Sequence, residues 1–351
     1  MMAIMNALVC HQPGELSWQL RGIPKPQKKE VLIKVKTVGI CGTDIHAWGG
    51  KQPFFSYPRV LGHEICGEIV DVGDEVQAWR VGQQVAVIPY VACHSCSACQ
   101  SGRDNCCENI AVIGVHRDGG FSEYLCVPQH NILLAEGIDP AAAALIEPFA
   151  ISAHAVRRAA LQPGADVLVV GAGPIGLGAA AIAKAEGARV AVADVSADRR
   201  AHVAAQLDLP AIDPLAADFT RRLRDLFSGN LAQTLIDATG NAQSMNQAVD
   251  LIRHGGSIVF VGLFKGDLQF SDPEFHKKET TLLGSRNATA EDFARVGELM
   301  RGGHLRAEML LTHRLRFDEL GSTFEQEVIN NPRLIKGVIE FAGNIDGATG
   351  E

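Results

Sequence analysis

VLVVGAGPIGLGAAAIAKAEGARVAVADVS, residues Val167–Ser196, decides how the second half of this chain folds. Val167–Val170 is an apolar strand run, and Gly171, Gly173 and Gly176 follow it as G-x-G-x-x-G at the start of an alanine-rich helix. Pro174 stands near the first helical position, where a missing N–H costs nothing. The next strand run, RVAVA, ends at Asp194, 23 residues after Gly171. Each residue type has a physical task. Gly171 permits a tight turn, Gly173 lets the backbone approach a pyrophosphate, and Gly176 lets the helix lie close on the sheet. The helix N-terminus presents unpaired N–H groups and the positive end of its dipole to the phosphates. Asp194 would accept hydrogen bonds from the adenosine ribose hydroxyls and repel a 2′-phosphate, which favours NAD over NADP even with Arg199 and Arg200 close behind. Asp237 in IDATGN is either near the adenosine side or a turn residue.

The pattern continues outward from this motif. Strand and helix runs alternate to about residue 285, with TLIDATG and GSIVFVGL as further strands, as a parallel sheet covered by helices requires. Before residue 150 the chain changes character. EVLIKVKTVGI, EICGEIVDVG and GQQVAVIPYV are β-rich and punctuated by glycine, with long loops expected at 41–62 and 90–120. A helix, AEDFARVGELMRGG, and a strand, LIKGVIEF, close the chain, and the polar stretch 342–351 reads as a disordered tail.

At 351 residues the chain suits two domains. Its net charge of −8 argues against a nucleic-acid backbone as partner. No apolar run is long enough to span a membrane. The start, MMAIMNALVCHQPGELSWQL, lacks the charged and apolar regions of a signal peptide, so the cytoplasm is expected. Thiols stay reduced there, and nine cysteines cannot all pair.

Five of those nine fall within CHSCSACQSGRDNCC, Cys93–Cys107. Cys93, Cys96, Cys99 and Cys107 have the spacing C-x2-C-x2-C-x7-C, which suits the closed four-thiolate site of structural zinc. An iron–sulfur centre would need an electron-transfer partner for which nothing else in the chain argues. Cys106 is a spare thiol or an alternative fourth ligand. A closed site leaves no coordination position for a substrate, so a reactive metal needs a second, open set of ligands. Cys41 in GICGTDIHAWGG, with His63 and Glu64 in RVLGHEICGEIV, supplies plausible ones, and Glu147 lies at the junction with the second half.

These motifs, with ALIEPFAISAHAV, occur in the order found in the zinc-dependent medium-chain dehydrogenases, which the chain resembles over residues 5–341. The resemblance implies an α/β protein with a GroES-like, mostly β catalytic domain (1–150), a Rossmann NAD-binding domain with a doubly wound parallel sheet (151–287), and a segment, 288–341, that completes the catalytic domain. The active site would sit in the interdomain cleft. It implies about two zinc ions per chain, one catalytic on Cys41, His63, Glu64 and Glu147, and one structural. Whether Glu147 binds directly or through water is left open. Catalysis would proceed by alkoxide formation at the zinc and hydride transfer to NAD, with Thr43 and His46 relaying the proton through the cofactor ribose. Further cofactor contacts are implied at Pro174, Ile175, Arg199, Val261, Gly262, Leu263, Ser285 and Arg286.

A narrower likeness is carried by HAWGGKQPFFSYPRVLGHEICGE, FSDPEFHKKET and GSRNAT. It implies a small-molecule sugar acid, L-galactonate, ahead of L-gulonate, L-idonate, a polyol or threonine. His116, Arg286 and Glu147 are the substrate contacts, while Arg117 and Lys265 read as solvated loop charges. A homodimer or homotetramer is implied, with GGSIVFVGLF as candidate edge strand. The competing class is a nucleotide-binding regulator that keeps zinc only for folding. A zinc-ribbon nucleic-acid module around 93–107 is disfavoured by the acidic balance.

Overall fold

The computed structural model describes residues 3–52 and 55–342. The tail expected at 342–351 lies, but for its first residue, outside the described residues. The chain divides into two compact units: Met1–Glu147 with the segment from Leu311 onward, and Pro148–Leu310. The return to the first unit therefore falls at Leu311 rather than at 288. The reason is helix Ala290–Arg301, whose buried Asp292 accepts hydrogen bonds from Arg157 Nε (2.7 Å) and contacts His154 Nδ1 (2.8 Å), both within the second unit.

The first unit is built on strand Glu30–Ile40, buried along most of its length. It pairs antiparallel with Glu64–Val72 on one side. On the other side it pairs first with Tyr124–Pro128 and then with Lys336–Glu340. The sheet order runs Ile132–Leu134, Gln84–Val87, Glu64–Val72, Glu30–Ile40, Lys336–Glu340, Leu311–Arg316. A last strand from the far end of the sequence thus lies two strands from Glu64. Val31, Ile33, Val38, Ile65, Ile69 and Phe121 fill the core beneath it.

The second unit carries a parallel sheet in the order Ala211–Ile212, Arg189–Ala193, Asp166–Val170, Ala232–Asp237, Ile252–Phe260, Thr281–Gly284. Chain order reverses between Asp166–Val170 and Ala232–Asp237, the switch point where doubly wound sheets bind ligands at their carboxyl ends. Asp166–Val170 is buried at all five positions, as a strand covered on both faces must be. Ile252–Phe260 is an interior strand, so the edge expected at GGSIVFVGLF belongs instead to Thr281–Gly284. Among the described residues no helix is long and apolar enough to cross a membrane.

Candidate active site

Strand Glu30–Ile40 delivers the chain to Cys41, which caps helix Gly42–Trp48 with extended backbone. The 41–62 stretch is therefore not all loop. Asp44, 1% exposed, accepts from Cys41 N (2.9 Å) with one oxygen and from Gly62 N (3.0 Å) with the other. One buried carboxylate so ties the turn carrying Cys41 to the turn carrying His63. Cys41, His63 and Glu64 each bring a ligand atom within 4.8 Å of the others.

The surroundings test whether a cation fits. His63 Nδ1, Glu64 Oε2 and Glu147 Oε2 are buried without hydrogen-bond partners. Each such atom costs about 1–3 kcal/mol, and native proteins keep few of them. The other halves of the two carboxylates are satisfied: Glu64 Oε1 accepts from Lys336 Nζ (2.6 Å), and Glu147 Oε1 accepts from the Tyr90 hydroxyl. Burial pushes the Glu147 carboxyl up to about 7, against the pull of His63 and with the help of Glu64. Burial likewise opposes charge on His63, yet Cys41 and Asp44 outweigh it and raise its pKa well above the usual value. Thiol, imidazole and carboxylates that together favour positive charge form a donor set suited to zinc.

The second cluster is closed. Cys93, Cys96, Cys99 and Cys107 place their sulfurs within 4.8 Å of one another, with Cys96 Sγ 3.5 Å from Cys99 Sγ and 4.0 Å from Cys107 Sγ. Short helices Ser97–Gln100 and Asp104–Cys106 fold the stretch back on itself. The Ser95 hydroxyl and the N–H groups of Ser95 and Cys96 pull the Cys93 thiol down to about 5, toward the thiolate a metal needs. Cys107 is buried and in the cluster, whereas Cys106 is exposed and outside it. All nine cysteines are free thiols.

In the second unit Gly171 has φ +96°. A Cβ on Gly176 would lie 1.7 Å from Gly171 O, so the turn and helix Pro174–Ala185 meet too closely for any side chain. A Cβ on Gly173 would meet nothing nearer than Arg199 Nη1, at 3.9 Å. The space over Gly173 is open beside a guanidinium, which suits a pyrophosphate. Ile175 lies in the first turn of the same helix. Asp194 accepts from Ala172 N (2.7 Å) and Ser196 N (2.8 Å), which fixes both oxygens while leaving each a lone pair for a ribose hydroxyl. Val261, Gly262 and exposed Leu263 follow one strand end, and Ser285 and exposed Arg286 follow the next. Asp237 is different. Its oxygens accept from Thr239 N (2.8 Å), Thr239 Oγ1 (2.6 Å) and Ser244 Oγ (2.6 Å), which makes it a turn residue.

Asp194→Ala removes both the acceptor and the repulsion of a 2′-phosphate. The preference for NAD over NADP should fall by about 10- to 100-fold, the worth of one or two charged hydrogen bonds. Steady-state kinetics with each cofactor check this.

Thr43 Oγ1 lies 3.8 Å from Cys41 Sγ, and His46 is exposed at the end of the same helix. His116 is exposed and accepts from Val112 N (3.0 Å) through Nδ1, so it braces its own turn. His116 belongs to the first unit and Arg286 to the second.

Sequence reasoning missed Lys336, Tyr90, Asp44 and Gly39. A lysine inside the apolar run LIKGVIEF was the available signal for the first.

Residues 27–137 match the family described as alcohol dehydrogenase GroES-like domain, and residues 174–302 match zinc-binding dehydrogenase. The chain is 70% identical over 340 residues to L-galactonate-5-dehydrogenase of Escherichia coli (strain K12), covering 97% of this chain and 100% of that protein. It is 35% identical to sorbitol dehydrogenase of Halalkalibacterium halodurans, covering 90% and 94% of the two. The crystal structure of the alcohol dehydrogenase rspB from E. coli CFT073, complexed with cofactor NADH, superposes with TM-score 0.89 at 33% identity and covers 97% of this chain and all of that one.

Proposed function

Because this chain belongs to the zinc-dependent alcohol dehydrogenase family, we propose that it oxidises L-galactonate at C5 to D-tagaturonate with NAD as acceptor. The observation that carries this substrate is the likeness to L-galactonate-5-dehydrogenase along nearly the whole chain. When bound, zinc supplies a Lewis acid for a substrate hydroxyl and NAD supplies a hydride acceptor.

The chain's own residues do the rest. Cys41, His63 and Glu64 hold the ion, and Glu147, whose second oxygen has no partner, joins them directly or through water. Thr43 would relay the hydroxyl proton, through the cofactor ribose, to exposed His46 and solvent. Gly171, Gly173 and Gly176 with the helix N-terminus hold the pyrophosphate, Asp194 the adenosine ribose, and Val261–Leu263 and Ser285 the remainder of the cofactor. Arg286 and His116 meet the carboxylate and hydroxyls of the substrate. The four-cysteine lobe holds a structural zinc. A homodimer or homotetramer in the cytoplasm completes the proposal, and the edge strand Thr281–Gly284 suits pairing between copies.

A panel of sugar acids, polyols and threonine, read as NADH formation, tests the substrate. L-Galactonate should exceed neutral polyols in kcat/KM by about 10²-fold or more, because a site built for a carboxylate leaves its cation unpaired with a neutral ligand. Equal rates on a neutral polyol would refute the sugar-acid reading.

A further inference from the structure

The geometry points to Lys336 as the positioning residue that holds both Glu64 and the Cys41 turn in metal-binding register. This rests on the proposal that Cys41, His63 and Glu64 bind zinc. Sheet register explains how a lysine from the far end of the chain reaches the site. Gly39 stands opposite Glu64 on one neighbouring strand and opposite Val338 on the other. Paired residues share a sheet face, and residues two apart on a strand share it too, so Glu64, Gly39, Val338 and Lys336 lie on one face. Two strand spacings, roughly 10 Å, separate the strands of Glu64 and Lys336. The gap is bridged because the strand between them carries no side chain at position 39.

That missing side chain is a fitted space. A Cβ on Gly39 would lie 1.9 Å from Glu64 Oε2 and 2.9 Å from Glu64 Cβ. The carboxylate therefore lies across the glycine, with Oε1 on the Lys336 ammonium at 2.6 Å and Oε2 left without a donor. The same ammonium donates to Ile40 O at 2.9 Å, the carbonyl immediately before Cys41. One cation thus fixes a ligand carboxylate and the backbone that delivers the ligand thiol. Lys336 and Glu64 are 2% and 0% exposed, so water does not substitute for either contact. Partners that orient metal ligands in this way are worth about 10- to 100-fold in metal affinity.

The test is zinc release to a chelator from the intact holoprotein, followed alongside the visible spectrum of the cobalt-substituted enzyme. Lys336→Met should accelerate release of one zinc by about 10- to 100-fold and shift the cobalt bands, while the other zinc leaves at the parental rate. Lys336→Arg should restore most of the retention and the parental spectrum. Gly39→Ala keeps the ammonium but fills the space of Glu64 Oε2, and it should accelerate the same release. It carries the test if Lys336→Met does not fold. Parental release rates and cobalt spectra in the folded variants would overturn the assignment. His63→Ala separates the two levels. If that variant keeps both zinc ions, the ligand set itself is wrong. If it loses one while the Lys336 and Gly39 variants release zinc normally, only the positioning role fails.

Discussion

His63→Ala is expected to lower turnover by about 10³-fold or more and to leave about one zinc per chain where the parent holds about two. A Lewis acid supplies several kcal/mol of charge stabilisation, and each 1.36 kcal/mol is tenfold in rate, so losing the ion exceeds most single hydrogen-bond deletions. Removing this imidazole also leaves the Cys41 thiol and two buried carboxylates without a neutral donor among them. NAD affinity should not change, because the glycine turn and Asp194 belong to the other unit. Zinc analysis, NADH kinetics and cofactor binding on one preparation check all three points. Retained turnover would remove the catalytic role of the three-residue site.

Cys96→Ser should act in the opposite way. It breaks a four-sulfur clip that closes the stretch from Cys93 to Cys107, and closing a loop of that size is worth roughly 3 kcal/mol by the chain-entropy model. The melting temperature should fall by several degrees, with turnover of the protein that stays folded changed only a few-fold. Cys106→Ser, an exposed thiol outside the clip, should melt like the parent. Thermal denaturation with zinc analysis distinguishes them. An intact fold with lost turnover in Cys96→Ser would place the chemistry in the cysteine lobe.

These two predictions follow from features of very different legibility. The cysteine lobe and the glycine motif are local: their partners lie within about fifteen residues, so spacing alone carries the geometry. The three-residue site is assembled from two turns and a strand start, and its members became recognisable through family order rather than spacing. Its supports were out of reach. Lys336 meets Glu64 across 272 positions through sheet register, and Tyr90 on a strand meets Glu147 on helix Ile146–Ala159 across 57, so only the tertiary fold brings each pair together. Helix Gly42–Trp48 was hidden for a different reason. It is seven residues long, begins on Gly42 and is followed by Gly49 and Gly50, and its start depends on Asp44 accepting from Cys41 N, a contact that composition does not reveal. The interior place of Ile252–Phe260 depended on Thr281–Gly284 adding to the sheet, and that four-residue strand carries little pattern.

On the proposed function, the conspicuous cysteine cluster folds the protein while the quieter Cys41–His63–Glu64 group carries the reaction. Partial zinc removal measures this most directly. Dialysis against a moderate chelator should strip about one zinc per chain, from the site with an open coordination position, and abolish NADH formation from L-galactonate. About one equivalent of added zinc should restore it. Full activity in protein that retains only the four-cysteine zinc would contradict the account.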